Sequence, residues 1–202
     1  MIGVVDYGMG NLHSVEKALQ RLQASAIRLI DPVQADHCQA LLLPGVGAFD
    51  PAMQKLNSSG WSPVLQDWVQ AQRPLLGICL GLQLLFESSA EGREPGLGLL
   101  AGRVEPLPEQ AQERCPHMGW APLTKCQPSP LLADDEQPWM YFVHSFAAVA
   151  TDSSNVTATA PYGDQAVVAA VGCGSLQATQ FHPEKSGLCG LALLQRWLSS
   201  FH

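Results

Sequence analysis

The chain has 202 residues, 47% of them hydrophobic, and carries a formal net charge of −7. That length and apolar content can bury a sizeable core and fit one globular domain over residues 1–202, with no room for a second catalytic domain. The scattered Lys and Arg make no basic stripe, so nucleic acid is not an expected ligand, and no apolar run reaches membrane-spanning length. The opening MIGVVDYG runs straight into a short apolar segment with no basic leader or small-residue cleavage site, so the expectation is a soluble, untargeted, cytoplasmic protein. The six cysteines, Cys38, Cys79, Cys115, Cys126, Cys173 and Cys189, contain no C-x-x-C pair, which fits reduced thiols in a cytosol-like compartment.

In chain order, IGVVDYG reads as a strand closed by the GMG turn. In NLHSVEKALQRLQ, Leu12, Val15, Leu19 and Leu22 then fall at helical spacing. AIRLI and ALLLPGVG are the next strands, with FDPAMQKL and PVLQDWVQ as short helices. RPLLGICLGLQLLFE repeats strand, turn and helix, with LQLLFESS carrying the helix onward. Such alternation is the signature of β-α-β units around a parallel sheet. Beyond about residue 97, short segments broken by Pro, Gly and Ser predict antiparallel additions to that sheet: GRVEPLP, KCQPSPLL, MYFVHSFAAVA, NVTATAPYG and VVAAVGCGSLQATQF. GLALLQRWLSSF closes as an amphipathic helix, and no internal repeat divides the chain.

Cys79 stands between Gly77 and Gly81 at the predicted strand-to-helix turn. The spacing G-x-C-x-G is the cysteine form of a nucleophile elbow, which lifts the side chain above the carboxyl edge of the sheet. A helix beginning there offers unpaired N–H groups and a positive dipole end that favour thiolate. The alternative, a small buried residue in a tight turn, is about as frequent for an isolated cysteine. A thiolate needs a proton-transfer partner, and ATQFHPEKS supplies His182 with Glu184 two residues on, on one face if the segment stays extended. A surface His-Pro turn is the competing explanation for that segment alone.

The Gly-rich exit of LLLPGVGAF offers backbone N–H groups to a developing oxyanion, and the N–H of Leu80 is the natural second donor. Gly45 and Gly47 flank Val46, so the peptide there is expected to rotate with little steric cost. No Walker lysine or G-x-G-x-x-G appears, since GMGNLH has His13 where the third glycine would stand, so no nucleotide cofactor is expected. Cys115 and His117 in CPH lack a second pair, so no metal site is expected either.

GICLGLQLLFE, FHPEKS and PGVGAF together resemble the class I glutamine amidotransferases. DYGMGNLHSV, PHMGW and YFVHSF narrow the resemblance to one branch, the glutaminase subunits of imidazole glycerol phosphate synthases of histidine biosynthesis. It covers nearly the whole chain and implies an open, mostly parallel α/β sheet of flavodoxin-like type with flanking helices. It also implies hydrolysis of L-glutamine to glutamate and ammonia through a cysteinyl thioester, with no cofactor. By resemblance, Cys79 is the nucleophile, His182 the general acid and base, and Glu184 its orienting carboxylate. The backbone at Val46, Gly47 and Leu80 forms the oxyanion hole. Gln83, Glu91 and the Ser145–Phe146 backbone contact the substrate. Asn11 and Trp120 lie toward a separate (β/α)8-barrel cyclase subunit, a partly buried core aromatic being the alternative for Trp120. The family usually has Asn after MGW, where this chain has Ala121. The competing functions are a glutaminase subunit for aminodeoxychorismate, anthranilate or pyridoxal phosphate synthesis, and a non-catalytic binding subunit on the same fold.

Overall fold

The computed structural model describes residues 1–109, 113–133 and 137–201. Strand β1 (Ile2–Val5) leads to helix α1 (Leu12–Arg21), β2 (Ala26–Leu29), β3 (Ala40–Gly45), helices α2 (Phe49–Ser58) and α3 (Trp61–Gln70), and β4 (Leu75–Cys79). A single-turn helix α4 (Leu80–Gln83) follows, then β5 (Phe86–Ser89), β6 (Leu100–Pro106), β7 (His117–Pro122), β8 (Thr124–Lys125) and β9 (Trp139–His144). The chain ends with β10 (Phe146–Ala150), β11 (Val156–Tyr162), β12 (Gln165–Cys173), β13 (Leu176–Thr179) and helix α5 (Gly187–Ser199).

Eight strands form the main sheet in the order β2-β1-β3-β4-β13-β12-β11-β8. The first five are parallel and the last three antiparallel, which is the α/β class expected from the sequence. The central strands are buried on both faces because alternate side chains serve two separate cores. Leu41 and Leu43 of β3 pack with Phe49, Met53, Trp61 and Trp68 of α2 and α3. Ala40 and Leu42 face the other way, against Leu12, Val15 and Leu19 of α1 and Leu194 and Trp197 of α5. Among the described residues, no helix is long and apolar enough to cross a membrane.

Two expectations are corrected. LQLLFESS does not continue a helix: α4 stops at Gln83, and Phe86–Ser89 is a strand. The carbonyl oxygens of Leu84 and Leu85, which would carry the helix onward, instead accept from the N–H groups of Leu97, Leu99 and Leu100. Tertiary pairing overrides the local helical preference of the leucines. Nor do the later strands all join the main sheet. Strands β10, β6 and β5 form a separate three-stranded sheet, and β7 with β9 a two-stranded ribbon, while KCQPSPLL contributes only the short β8.

The strand order reverses around β1, and the carboxyl ends of β3, β4 and β13 emerge together beside that switch. In open α/β sheets this is where ligands bind. Gly45 is paired in register with Cys79, so Val46 and Leu80 leave adjacent strand ends side by side.

Candidate active site

Cys79 is the last residue of β4, and its backbone is left-handed, with φ 56° and ψ −111°. For a residue with a Cβ this is a strained conformation, held here by packing. A Cβ on Gly81 would run into the Leu43 carbonyl oxygen, so only glycine lets the turn lie this close to β3. The cysteine is buried to 7% exposure at the floor of a cleft of about 290 Å3. With only one helical turn behind it, the elbow brings little macrodipole, and its electrostatics come from neighbouring side chains instead.

The same cleft is lined by Val46, Gly47, Leu80, Gln83, Glu91, Ser145, Phe146 and His182. His182 follows β13 and begins a 3-10 turn, Pro183–Lys185, with Pro183 in its first position. The segment is therefore not extended, as the sequence suggested. The turn still brings Glu184 Oε1 to 2.7 Å from His182 Nδ1, and both side chains are almost fully buried. His182 Nδ1–H donates to the carboxylate, which leaves the buried Nε2, among the described residues, with Cys79 as the group it interacts with and no bond of full hydrogen-bond geometry. Burial alone would push this imidazole toward its neutral form. Interaction with Cys79 and Glu184 outweighs it and raises the pKa to about 9.

Phe146 opens β10 just after the ribbon ends, and its carbonyl oxygen accepts two bonds, from Gln83 Nε2 at 3.0 Å and His144 Nδ1 at 2.8 Å. Gln83 also donates to Gln180 Oε1 at 3.0 Å. Both amide hydrogens of Gln83 are thus engaged within the protein, and any contact with a ligand in the cleft falls to its Oε1. Glu91 lies at the cleft wall and accepts the Phe49 N–H at 2.9 Å, capping helix α2, whose own N-cap residue Ala48 has no side-chain bond to offer.

At the oxyanion turn, Gly45 is fixed by packing: a Cβ there would lie 2.7 Å from the Tyr7 hydroxyl and 2.9 Å from the Gly81 nitrogen. Conformational freedom is confined to Val46, which is 38% exposed, and Gly47, at φ 102°. Asn11 caps α1, accepting the Ser14 N–H at 3.4 Å. Trp120 is not part of the core. It stands 51% exposed beside Met118 on the outer face of the ribbon, edge-on to Tyr141. Ala121 is buried opposite Met140.

Three buried residues around the site, of which His144 lines the cleft itself, have no role expected from the sequence. His144, Gln180 and Tyr7 are all buried and border Cys79 or its partners. Gln180 stands two residues before His182, but nothing in its spacing announces a contact with Cys79. Burial, and then the Cys79 charge, push the Tyr7 phenol above its ordinary range.

The sequence matches the family described as glutamine amidotransferase class-I over residues 3–197. The chain belongs to the class I glutamine amidotransferases. It is 57% identical over 202 residues to a protein of Synechococcus sp. (strain CC9902) named imidazole glycerol phosphate synthase subunit HisH, covering 100% of this amidotransferase and 95% of that protein. A protein of Parasynechococcus marenigrum (strain WH8102), named subunit HisH 2 of the same synthase, is 57% identical over 198 residues, with coverage of 98% and 93%. Among solved structures, one described as a glutamine amidotransferase superposes with a TM-score of 0.77 at 21% identity, covering 98% of this chain and 97% of that one. PurLQS from Thermotoga maritima gives 0.73 at 20% identity, with coverage of 100% and 98%. At these identities the structural likeness establishes the fold of the amidotransferase and nothing finer.

Proposed function

We propose that this chain is the glutaminase subunit of an imidazole glycerol phosphate synthase, a single-domain cytoplasmic protein that hydrolyses L-glutamine and passes ammonia to a separate cyclase subunit. The observation that carries the reading is the convergence, in one cleft, of the Cys79 elbow with a His182–Glu184 pair 2.7 Å apart. Cys79 thiolate attacks the side-chain amide carbon of glutamine, and the oxyanion develops toward the N–H groups of Val46 and Leu80. His182, protonated at Nε2, gives that proton to the departing ammonia. Neutral His182 then takes a proton from water as it attacks the thioester, the C–S bond breaks with its electron pair returning to sulfur, and glutamate leaves with the Cys79 thiolate and protonated His182 restored. Glu184 holds the imidazole so that Nε2 faces the sulfur throughout. Gln83, Glu91 and the Ser145–Phe146 backbone bind the substrate, and Asn11 with Trp120 face the cyclase.

An exposed oxyanion turn suits control by the partner, because a missing donor costs on the order of 3 kcal/mol of transition-state stabilisation. Glutamate release by the chain alone, with the cyclase, and with the cyclase plus its nucleotide ligand is expected to rise about a hundredfold across the series. Cys79→Ala should abolish glutamine-dependent synthesis in the complex while leaving synthesis from ammonium salt at alkaline pH. Glutaminase activity surviving in Cys79→Ala, or a lone subunit already running at the stimulated rate, would overturn the corresponding part of the reading.

A further inference from the structure

We propose that Gln180 is a hydrogen-bond donor to the reacting sulfur of Cys79, and that Gln83 is the positioning residue that holds it in that role. The inference rests on the reading of Cys79 as the nucleophile. Gln180 follows the last residue of β13, and since Thr179 pairs with Ile78 of β4, it emerges opposite Cys79. It is fully buried, and its Nε2 lies 3.8 Å from Cys79 Sγ, within reach of a sulfur acceptor.

Geometry settles which end of each amide faces where. The Phe146 carbonyl oxygen can only accept, so the atom of Gln83 at 3.0 Å from it is the nitrogen. That nitrogen also lies 3.0 Å from one end of the Gln180 amide, which must then be the oxygen. The nitrogen of Gln180 is left facing the sulfur. One backbone carbonyl thus orients two side-chain amides in series, and the second presents an N–H to Cys79. His144 Nδ1, donating to the same carbonyl at 2.8 Å, fixes that peptide from the other side.

The chemistry gives the arrangement a use. An N–H bond to a thiolate is charge-assisted, whereas the same bond to a neutral thioester sulfur is weak. Gln180 therefore favours Cys79 when it carries charge, before attack on glutamine and again when the C–S bond breaks and the electron pair returns to sulfur. An aliphatic residue would fill this buried site without the cost of desolvating an amide, so the amide is retained for its bonds.

The test is Gln180→Met, near in volume and without a donor, assayed in complex with the cyclase and as the free chain. Alkylation of Cys79 by iodoacetamide at neutral pH is followed on the Cys79 peptide by mass spectrometry, because Cys115, Cys126, Cys173 and Cys189 are exposed. The alkylation rate and kcat are expected to fall about tenfold, with KM for glutamine within about twofold. Gln83→Met should lower the alkylation rate by about threefold, because Gln180 loses the bond that orients it. If Gln180→Met does not fold, the Gln83→Met alkylation rate decides the matter alone. Wild-type alkylation and kcat in folded Gln180→Met, or wild-type alkylation in Gln83→Met, would overturn the inference while a dead Cys79→Ala leaves the nucleophile standing. Glutaminase activity in Cys79→Ala would remove the ground of both.

Discussion

His182 and His144 are buried alike, at 2% and 6% exposure, and line the same cleft, yet their protonation is driven in opposite directions. His182 is raised to about 9 and His144 lowered to about 4. Burial disfavours the charged form of both. The difference lies in what each ring faces. His182 has the Glu184 carboxylate on Nδ1 and Cys79 beyond Nε2, whereas His144 has the neutral Phe146 carbonyl on Nδ1 and His117 at 3.3 Å from Nε2. The positive charge that His117 and His182 can carry adds to the desolvation of His144, and the bond to Phe146 only partly offsets it. His117 is itself held below its ordinary range, chiefly by burial. One ring is placed to carry a proton beside Cys79, the other to stay neutral and hold a peptide still.

The largest expected effect comes from erasing that difference at His182. Glu184→Gln keeps the volume but removes the charge, and it lets the imidazole settle in either tautomer. Glutaminase kcat in the complex should fall by at least about a hundredfold, and the His182 titration, followed by NMR, should move from about 9 back toward 6.5. A variant with wild-type kcat would mean that Cys79 alone sets the state of His182.

A smaller effect is expected at His144, whose contribution runs through the Phe146 peptide rather than through proton transfer. His144→Leu removes one of the two donors that fix this carbonyl, so the neighbouring backbone loses definition where the glutamine carboxylate is proposed to bind. KM for glutamine should rise about tenfold with kcat nearly unchanged, and His144→Asn, whose amide nitrogen can stand in for Nδ1, should restore most of the loss. A fall in kcat without a change in KM would place His144 in the proton-transfer machinery and break the contrast.

How much of this could be read from the sequence follows the same division. Cys79, His182 and Glu184 announce themselves because their spacings are local: G-x-C-x-G and His-x-Glu each lie within one turn. The parallel half of the sheet was equally legible, since a strand buried on both faces reads as an unbroken apolar run, as in LLGIC. His144 and Gln180 were not legible as partners of the site. Each acts through a contact that spans distant parts of the chain, Gln83 to Gln180 and His117 to His144, and no period in the sequence encodes those pairings. The same reason explains the helix wrongly extended through LQLLFESS, where backbone bonds from residues 97–100 end it. It also explains why the later strands were assigned to one sheet, because the pairing of β10 with β6 joins segments some forty residues apart and is not encoded in the alternation of either.

The smallest expected effect is on stability, and here the two histidines should give opposite signs. A histidine whose folded pKa lies below its unfolded value withholds a proton that the unfolded chain accepts. For His144 the stabilisation is therefore complete above about 6.5 and is lost as pH falls through 6.5 toward about 4. For His182 the folded value is the higher one, so its contribution is complete below about 6.5 and is lost as pH rises toward about 9. Urea midpoints of the free chain should accordingly decline on both sides of neutrality. His144→Leu should flatten the acid limb and leave the alkaline limb in place, while Glu184→Gln should flatten the alkaline limb only. The two variants need not match wild type in absolute stability, because the comparison is between slopes. If His144→Leu retains the full acid slope between pH 6.5 and 4, the ring is already exchanging its proton with water in the folded chain, and it does not act as the neutral clamp on Phe146.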